Sequence, residues 1–226
     1  AHSIYPSLEP LRTEIPELSS TTDLKYTKKL CTIIDGSDAS QITKHGVLLL
    51  SLYLKEAPQL STQSNSAEFL TEFYQFLKKY HPRLKSDTLK ALFLFKNESG
   101  YDLLKHIACT PGSLGSHIAA LLDDIRLALG KEVIVSLLTS TQKNSWNLLQ
   151  LASKHNGPFA VDLVAFILKH QEWLGVDAIK SILGTKNNYG MNALQVAIVH
   201  HPKTGSFLLD FCMMQANTLG KDFLWN

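Results

Sequence analysis

Leu129-Gly130-Lys131-Glu132-Val133-Ile134 returns as Leu174-Gly175-Val176-Asp177-Ala178-Ile179 and again as Leu219-Gly220-Lys221-Asp222-Phe223-Leu224, each time after 45 residues. One step upstream, Leu84-Lys85-Ser86-Asp87-Thr88-Leu89 keeps the leucine, the acid and the closing aliphatic but lacks the glycine. A second block holds the same step: Gly100-Tyr101-Asp102-Leu103-Leu104-Lys105-His106-Ile107, Ser145-Trp146-Asn147-Leu148-Leu149-Gln150-Leu151-Ala152 and Gly190-Met191-Asn192-Ala193-Leu194-Gln195-Val196-Ala197. A third set follows in step, with Ile118, Leu163 and Leu208, then Leu121, Phe166 and Phe211. Blocks that share one register without a gap define a repeat. Such a unit buries its apolar face only by stacking on its neighbours, so the repeat limits the fold to a stacked array.

Each unit reads as three short helices. In the first, Val133, Ile134, Leu137 and Leu138 fall on one helical face, which predicts a helix over Lys131 to Leu138 and another over Val176 to Leu183. The second starts at Asp102, Asn147 or Asn192, whose short side-chain oxygens can accept a free first-turn N–H. In the last unit it ends at His200-His201-Pro202, with cationizable side chains near the terminal carbonyls and a proline as a stop. The third is predicted over about His117 to Leu129, Ala160 to Gln171 and Ser206 to Gln215.

The fold expected is therefore all-α, a solenoid of three-helix units at 84–128, 129–173 and 174–218. Upstream the register loosens. Leu24 to Ile34 and Ala67 to Tyr80 read as helices, Gly46 to Ser51 resembles the second-helix block, and Gln59 to Asn65 is a polar insertion. Residues 22–83 are read as a degenerate first unit that caps the stack, and residues 1–21, with Pro6, Pro10 and Pro16, as an extended arm. Residues 219–226 either open a further unit or form a short cap.

Composition excludes several classes. With 45% hydrophobic residues the chain can fill a core, and no apolar run approaches the roughly 20 residues of a membrane span. A net charge of +2 provides no strong field for nucleic acid. Three cysteines make no disulfide framework, which fits a reducing intracellular compartment.

The block Gly190-Met191-Asn192-Ala193-Leu194-Gln195-Val196-Ala197 resembles the ankyrin signature Gly-x-Thr-Ala/Pro-Leu-His-x-Ala. Gly130-Lys131-Glu132-Val133-Ile134-Val135-Ser136-Leu137-Leu138 resembles the opening of the second ankyrin helix. The two blocks cover about half of each unit. Ordinary ankyrin repeats have about 33 residues, so an extra helix lies between the blocks here, and the link from Leu183 to Asn187 is too short for the usual hairpin. Three helices in 45 residues would equally suit an armadillo-type repeat. The resemblance implies a non-enzymatic scaffold that binds a protein partner, without catalytic residues, cofactor or metal. Bacterial proteins delivered into host cells also resemble this pattern, with divergent repeats beside other domains. The alternatives are a regulatory or targeting domain of a larger enzyme, or a divergent enzyme with a site spanning units.

Residues that carry chemistry elsewhere have bland readings here. His106 and Cys109 are three apart on one helix, as a Cys–His pair or metal ligands would be, but Leu151 and Lys154 stand at the same places one unit on. Gly112-Ser113-Leu114-Gly115, Gly157-Pro158-Phe159-Ala160 and Pro202-Lys203-Thr204-Gly205 read as inter-helix turns. His200-His201 reads as helix-end capping, and Asp123-Asp124 as a solvated face. One column remains. Tyr101, Trp146 and Met191 stand just before the caps, at a position that faces the partner in ankyrin repeats. The resemblance adds their neighbours Glu98 and Ser99, Lys143 and Asn144, and Asn188 and Tyr189. Either this column is an exposed ladder of interface anchors, or the inserted helix covers it and makes it core.

Overall fold

The 45-residue step is written into the helix boundaries. The computed structural model describes residues 65–94, 96 and 99–220, and among these every regular element is helical and none is a strand. The arm, most of the degenerate first unit and residues 221–226 lie outside the described residues. The chain forms two units, residues 1–88 and 89–226.

In the first, α1 (Asn65–Tyr80) buries Leu70, Phe73, Tyr74, Phe76, Leu77 and Tyr80 along one face. Phe76 packs on Phe73 and Tyr80 with ring centroids 5.9 and 5.2 Å away. A short 3-10 turn, His81–Arg83, ends this helix, and the His81 ring Nδ1 lies 3.1 Å from the Leu77 carbonyl. Lys78, Lys79, His81 and Arg83 thus cluster at a helix end, where cations are favoured.

The helix α2 (Ser86–Leu94) runs from one unit into the other. Its bounds recur one and two steps on, in α5 (Lys131–Thr139) and α9 (Val176–Gly184). The second-helix series is α3 (Leu103–Ala108), α6 (Leu148–His155) and α10 (Ala193–His200). Their caps are the residues that the sequence indicates. The side chains of Asp102, Asn147 and Asn192 accept hydrogen bonds from the backbone N–H groups of Lys105, Gln150 and Gln195 at 3.0, 2.9 and 3.0 Å. In the last two, the glutamine returns the bond to the cap's own N–H, a full capping box.

The third series starts earlier than the turn residues indicate. Its members are α4 (Leu114–Leu129), α7 (Gly157–Lys169) with the short α8 (Gln171–Leu174) after it, and α11 (Pro202–Leu219). Pro158 and Pro202 open these helices instead of separating them, because proline needs no N–H in a first turn and has its φ already set. The Gly157–Ala160 and Pro202–Gly205 segments are therefore first turns. Only Gly112 and Ser113 of the corresponding segment remain outside a helix. Asn156 caps α7 by accepting from Phe159 N–H at 3.2 Å, while its Nδ2 donates to the Thr110 carbonyl at 2.8 Å.

Like helices pack on like. The series α3, α6 and α10 forms one row, α4, α7 and α11 a second, and α5 lies on α9. The core between rows includes Leu104, Ile118, Leu149, Phe159, Leu163, Ile167, Val196 and Phe211. Gly115 makes one close approach possible: a Cβ there would lie 2.5 Å from the Phe159 side chain. Leu194 stands at the repeat position of the buried Leu104 and Leu149 but is only half-buried, because no described residues cover the far side of α10. Among the described residues no helix is long and apolar enough to cross a membrane.

Candidate functional site

The loops before α6 and α10 are built alike. Gln142 N–H donates to the Trp146 carbonyl at 3.1 Å and Ser145 N–H to the Gln142 carbonyl at 2.9 Å. One unit on, Asn187 N–H donates to the Met191 carbonyl at 3.0 Å and Gly190 N–H to the Asn187 carbonyl at 2.9 Å. A buried amide locks each turn from within. Gln142 Oε1 accepts from Asn144 N–H, and Asn187 Oδ1 accepts from the N–H groups of Tyr189 and Met191 at 2.9 and 3.1 Å. The turn requires a left-handed backbone at one place, where φ is +83° at Gly100, +66° at Ser145 and +75° at Gly190. Glycine adopts this freely, whereas serine is strained.

The loops are tied together along the stack. Lys143 N–H donates to the Ser99 carbonyl at 3.1 Å, and Asn188 N–H to the Asn144 carbonyl at 3.3 Å. These backbone bonds form a continuous edge, with successive side chains held at fixed spacing. Lys143, Asn144, Asn188 and Tyr189 are exposed along it, and Ser99 is half-buried. Glu98 lies outside the described residues.

The column of large side chains sits beneath this edge. Trp146 is only 5% exposed. Its indole Nε1 donates to Asn188 Oδ1 at 2.8 Å, its ring meets Tyr189 edge-on at 6.1 Å, and Lys154 Nζ stands 4.9 Å over it. Tyr101 and Met191 are half-buried, and Tyr101 accepts from Gln142 Nε2 at 3.5 Å. An open ladder of Tyr101, Trp146 and Met191 is therefore not present. The next loop folds over the tryptophan, and what solvent meets is Tyr189, at 69% exposure. The loop-locking amides Gln142 and Asn187 carry no sequence signal beyond one shared register position and the absence of charge.

The remaining candidates for chemistry are chemically quiet. Burial pushes the Cys109 thiol up to about 12, against the opposing pull of Lys154. Burial, reinforced by the Lys105 charge, pushes His106 down to about 4. A thiol and an imidazole displaced in these directions are both neutral near pH 7 and do not form a thiolate–imidazolium pair. Among the described residues no three His, Cys, Asp or Glu side chains gather as a metal site would need. His200 lies in the last turn of α10 and His201 is its C-cap, with its N–H bonded to the Ala197 carbonyl, so the pair stands at the helix end that the sequence indicates.

Asp123 is more than a solvated carboxylate. It pairs with Lys169, His170 Nε2 at 2.6 Å and Arg126 at 3.5 Å, and the Lys169 hydrogen bond holds it below its usual value. This cluster borders an open cleft of about 240 Å³ between α4 and α7, where Ser116 also donates to Asp162. Its polar groups largely satisfy one another.

Among the described residues the geometry is thus all-helical, with like helices stacked and a hydrogen-bonded loop edge that carries an exposed aromatic. Comparison with family models, curated proteins and solved structures finds no match for this chain.

Proposed function

We propose that this chain is a non-enzymatic protein-interaction scaffold, a solenoid of ankyrin-like units that binds a protein partner along its loop edge. The observation that carries this reading is the pair of loop-to-loop backbone bonds, Lys143 to Ser99 and Asn188 to Asn144. They fix Lys143, Asn144, Asn188 and Tyr189 at regular spacing before any partner arrives, so little ordering entropy remains to oppose binding. Tyr189 is the anchor. It is aromatic and exposed, and it rests on a buried tryptophan, the kind of rigid amphipathic side chain enriched at interface hot spots. Trp146 supports the anchor from below. The displaced protonation of His106 and Cys109 speaks against a thiolate–imidazolium pair at that place.

The test separates anchor from support. Tyr189→Ala should move stability by no more than about 0.5 kcal/mol, yet strip partners from a lysate pull-down read by quantitative mass spectrometry. Trp146→Ala should cost about 3–5 kcal/mol, as a buried aromatic does. With Trp173 and Trp225 replaced, iodide should scarcely quench Trp146. A captured set that neither Tyr189→Ala nor Lys143→Glu changes would remove the loop edge from consideration.

A further inference from the structure

The outward face of α10 and α11 exposes positions that are covered in both preceding units. Ile198 is 51% exposed, while its equivalents Ala108 and Ser153 are 0%. Leu209 is 39% exposed, while Ala119 is 7% and Val164 0%. The polar groups differ in the same way. Lys105 Nζ donates to Ser140 Oγ at 3.1 Å, Asn147 Nδ2 to the Ile182 carbonyl at 2.8 Å and Gln150 Nε2 to the Thr185 carbonyl at 2.7 Å, all on the unit that follows. In the last unit Asn192 and Gln195 hold the same capping box, but Asn192 Nδ2 and Gln195 Nε2 have no acceptor among the described residues. This face thus combines apolar side chains with two amide donors already oriented by their own caps.

The chain is also turned to supply a cover. Gly130 and Gly175, which open the two described covering units, have φ/ψ of 83°/158° and 88°/156°. Gly220 has 91°/140°, and its N–H bonds to the Ala216 carbonyl as Gly130 N–H does to Arg126 and Gly175 N–H to Gln171. Leu219-Gly220-Lys221-Asp222-Phe223-Leu224 repeats the motif that begins at each of those hinges.

We propose that the α10–α11 face is a stacking surface for one more helical unit of the same kind, carried on from the Gly220 hinge. Its first helix ends with carbonyls that accept from Asn192 Nδ2 and Gln195 Nε2, and its apolar side chains cover Leu194, Ile198 and Leu209. The inference extends the internal stacking interface of α6 on α10 and α7 on α11 by one step. It rests on the packing of units and stands whether or not the loop edge binds a partner.

The experiment compares the chain with a version in which a second copy of residues 174–218 replaces residues 219–226. In the extended protein, amide exchange in α10 should slow by at least ~10-fold, because its opening becomes coupled to that of a covering unit. Gln195→Ala should lower the melting temperature of the 226-residue chain slightly, through the lost bond to Asn192 N–H, and that of the extended one clearly more. Unchanged α10 exchange, or an equal effect of Gln195→Ala in both proteins, overturns the proposal. Light scattering should find the 226-residue chain monomeric. A dimer that Leu209→Glu separates would assign the face to a second copy and overturn the proposal as well.

Discussion

Single residues carry the strain and titration behaviour of this protein. Ser145 is the only non-glycine with positive φ among the described residues, and glycine stands at the same turn position in both neighbouring loops. Ser145→Gly should relieve that strain and raise stability by about 0.5–1 kcal/mol in urea melts. A loss of stability would show that the serine side chain compensates elsewhere. His106 gives the pH dependence a sign. Burial holds it down from 6.5 to about 4, so the unfolded chain takes up the proton first. Stability from this group is complete above pH 6.5 and is lost as pH falls toward 4. His155, lowered by burial and then by Lys154 and its histidine neighbours, adds to the same acid-side loss. Asp123, lowered chiefly by its Lys169 bond, contributes stability above 3.8 that is lost only as pH falls further. Denaturation at pH 7, 5.5 and 4.5 should show a falling midpoint, and His106→Leu, the residue type at position 151, should make that fall shallower.

Among the elements, the second-helix series shows one structural task met by two chemistries. In α6 and α10 the first turn is closed by neutral Asn–Gln boxes. In α3 the same places hold Asp102 and Lys105, a salt bridge with both side chains fully buried. Burial opposes the lysine charge and lowers its pKa, with Asp102 pulling the other way. A buried ion pair commonly returns little net stability, because desolvation offsets the attraction. Replacing both residues with the neutral pair used in α6 and α10, Asp102→Asn with Lys105→Gln, should therefore cost far less than losing one partner alone. Asp102→Asn alone strands a buried ammonium and should cost about 3–5 kcal/mol. Chemical denaturation of the three variants checks this, and a double variant worse than the single one would show that the charge pair itself holds the helix.

For the whole molecule, stability is set by how many neighbours each unit has. Leu149 lies in α6, between α3 and α10, and is buried. Leu149→Ala should cost about 2–5 kcal/mol as a cavity-forming change. Leu194 stands at the equivalent position on an open face and is half-buried. Leu194→Ala should cost less than half as much, as nearest-neighbour stacking requires. Equal losses measured by urea unfolding would mean that the stack unfolds without regard to neighbours.

Local chemistry made the period, the three helix series and the caps legible in the sequence. Apolar spacing defines a helical face, and Asp102, Asn147 and Asn192 bond within three residues of themselves. The helices α7 and α11 start earlier than the sequence indicates, because proline marks a helix opening as readily as a stop. The loop edge was legible as a position, but its exposure was not. Whether Trp146 meets solvent depends on Asn188 and Tyr189, which arrive from the next loop, and whether Leu194 is core depends on a unit that would follow it. The quiet chemistry of His106 and Cys109 has the same origin, since burial displaces both groups. Sequence determined which atoms each unit presents, because those choices are local. Tertiary structure alone decided which of them remain in water, because that depends on contacts one repeat away.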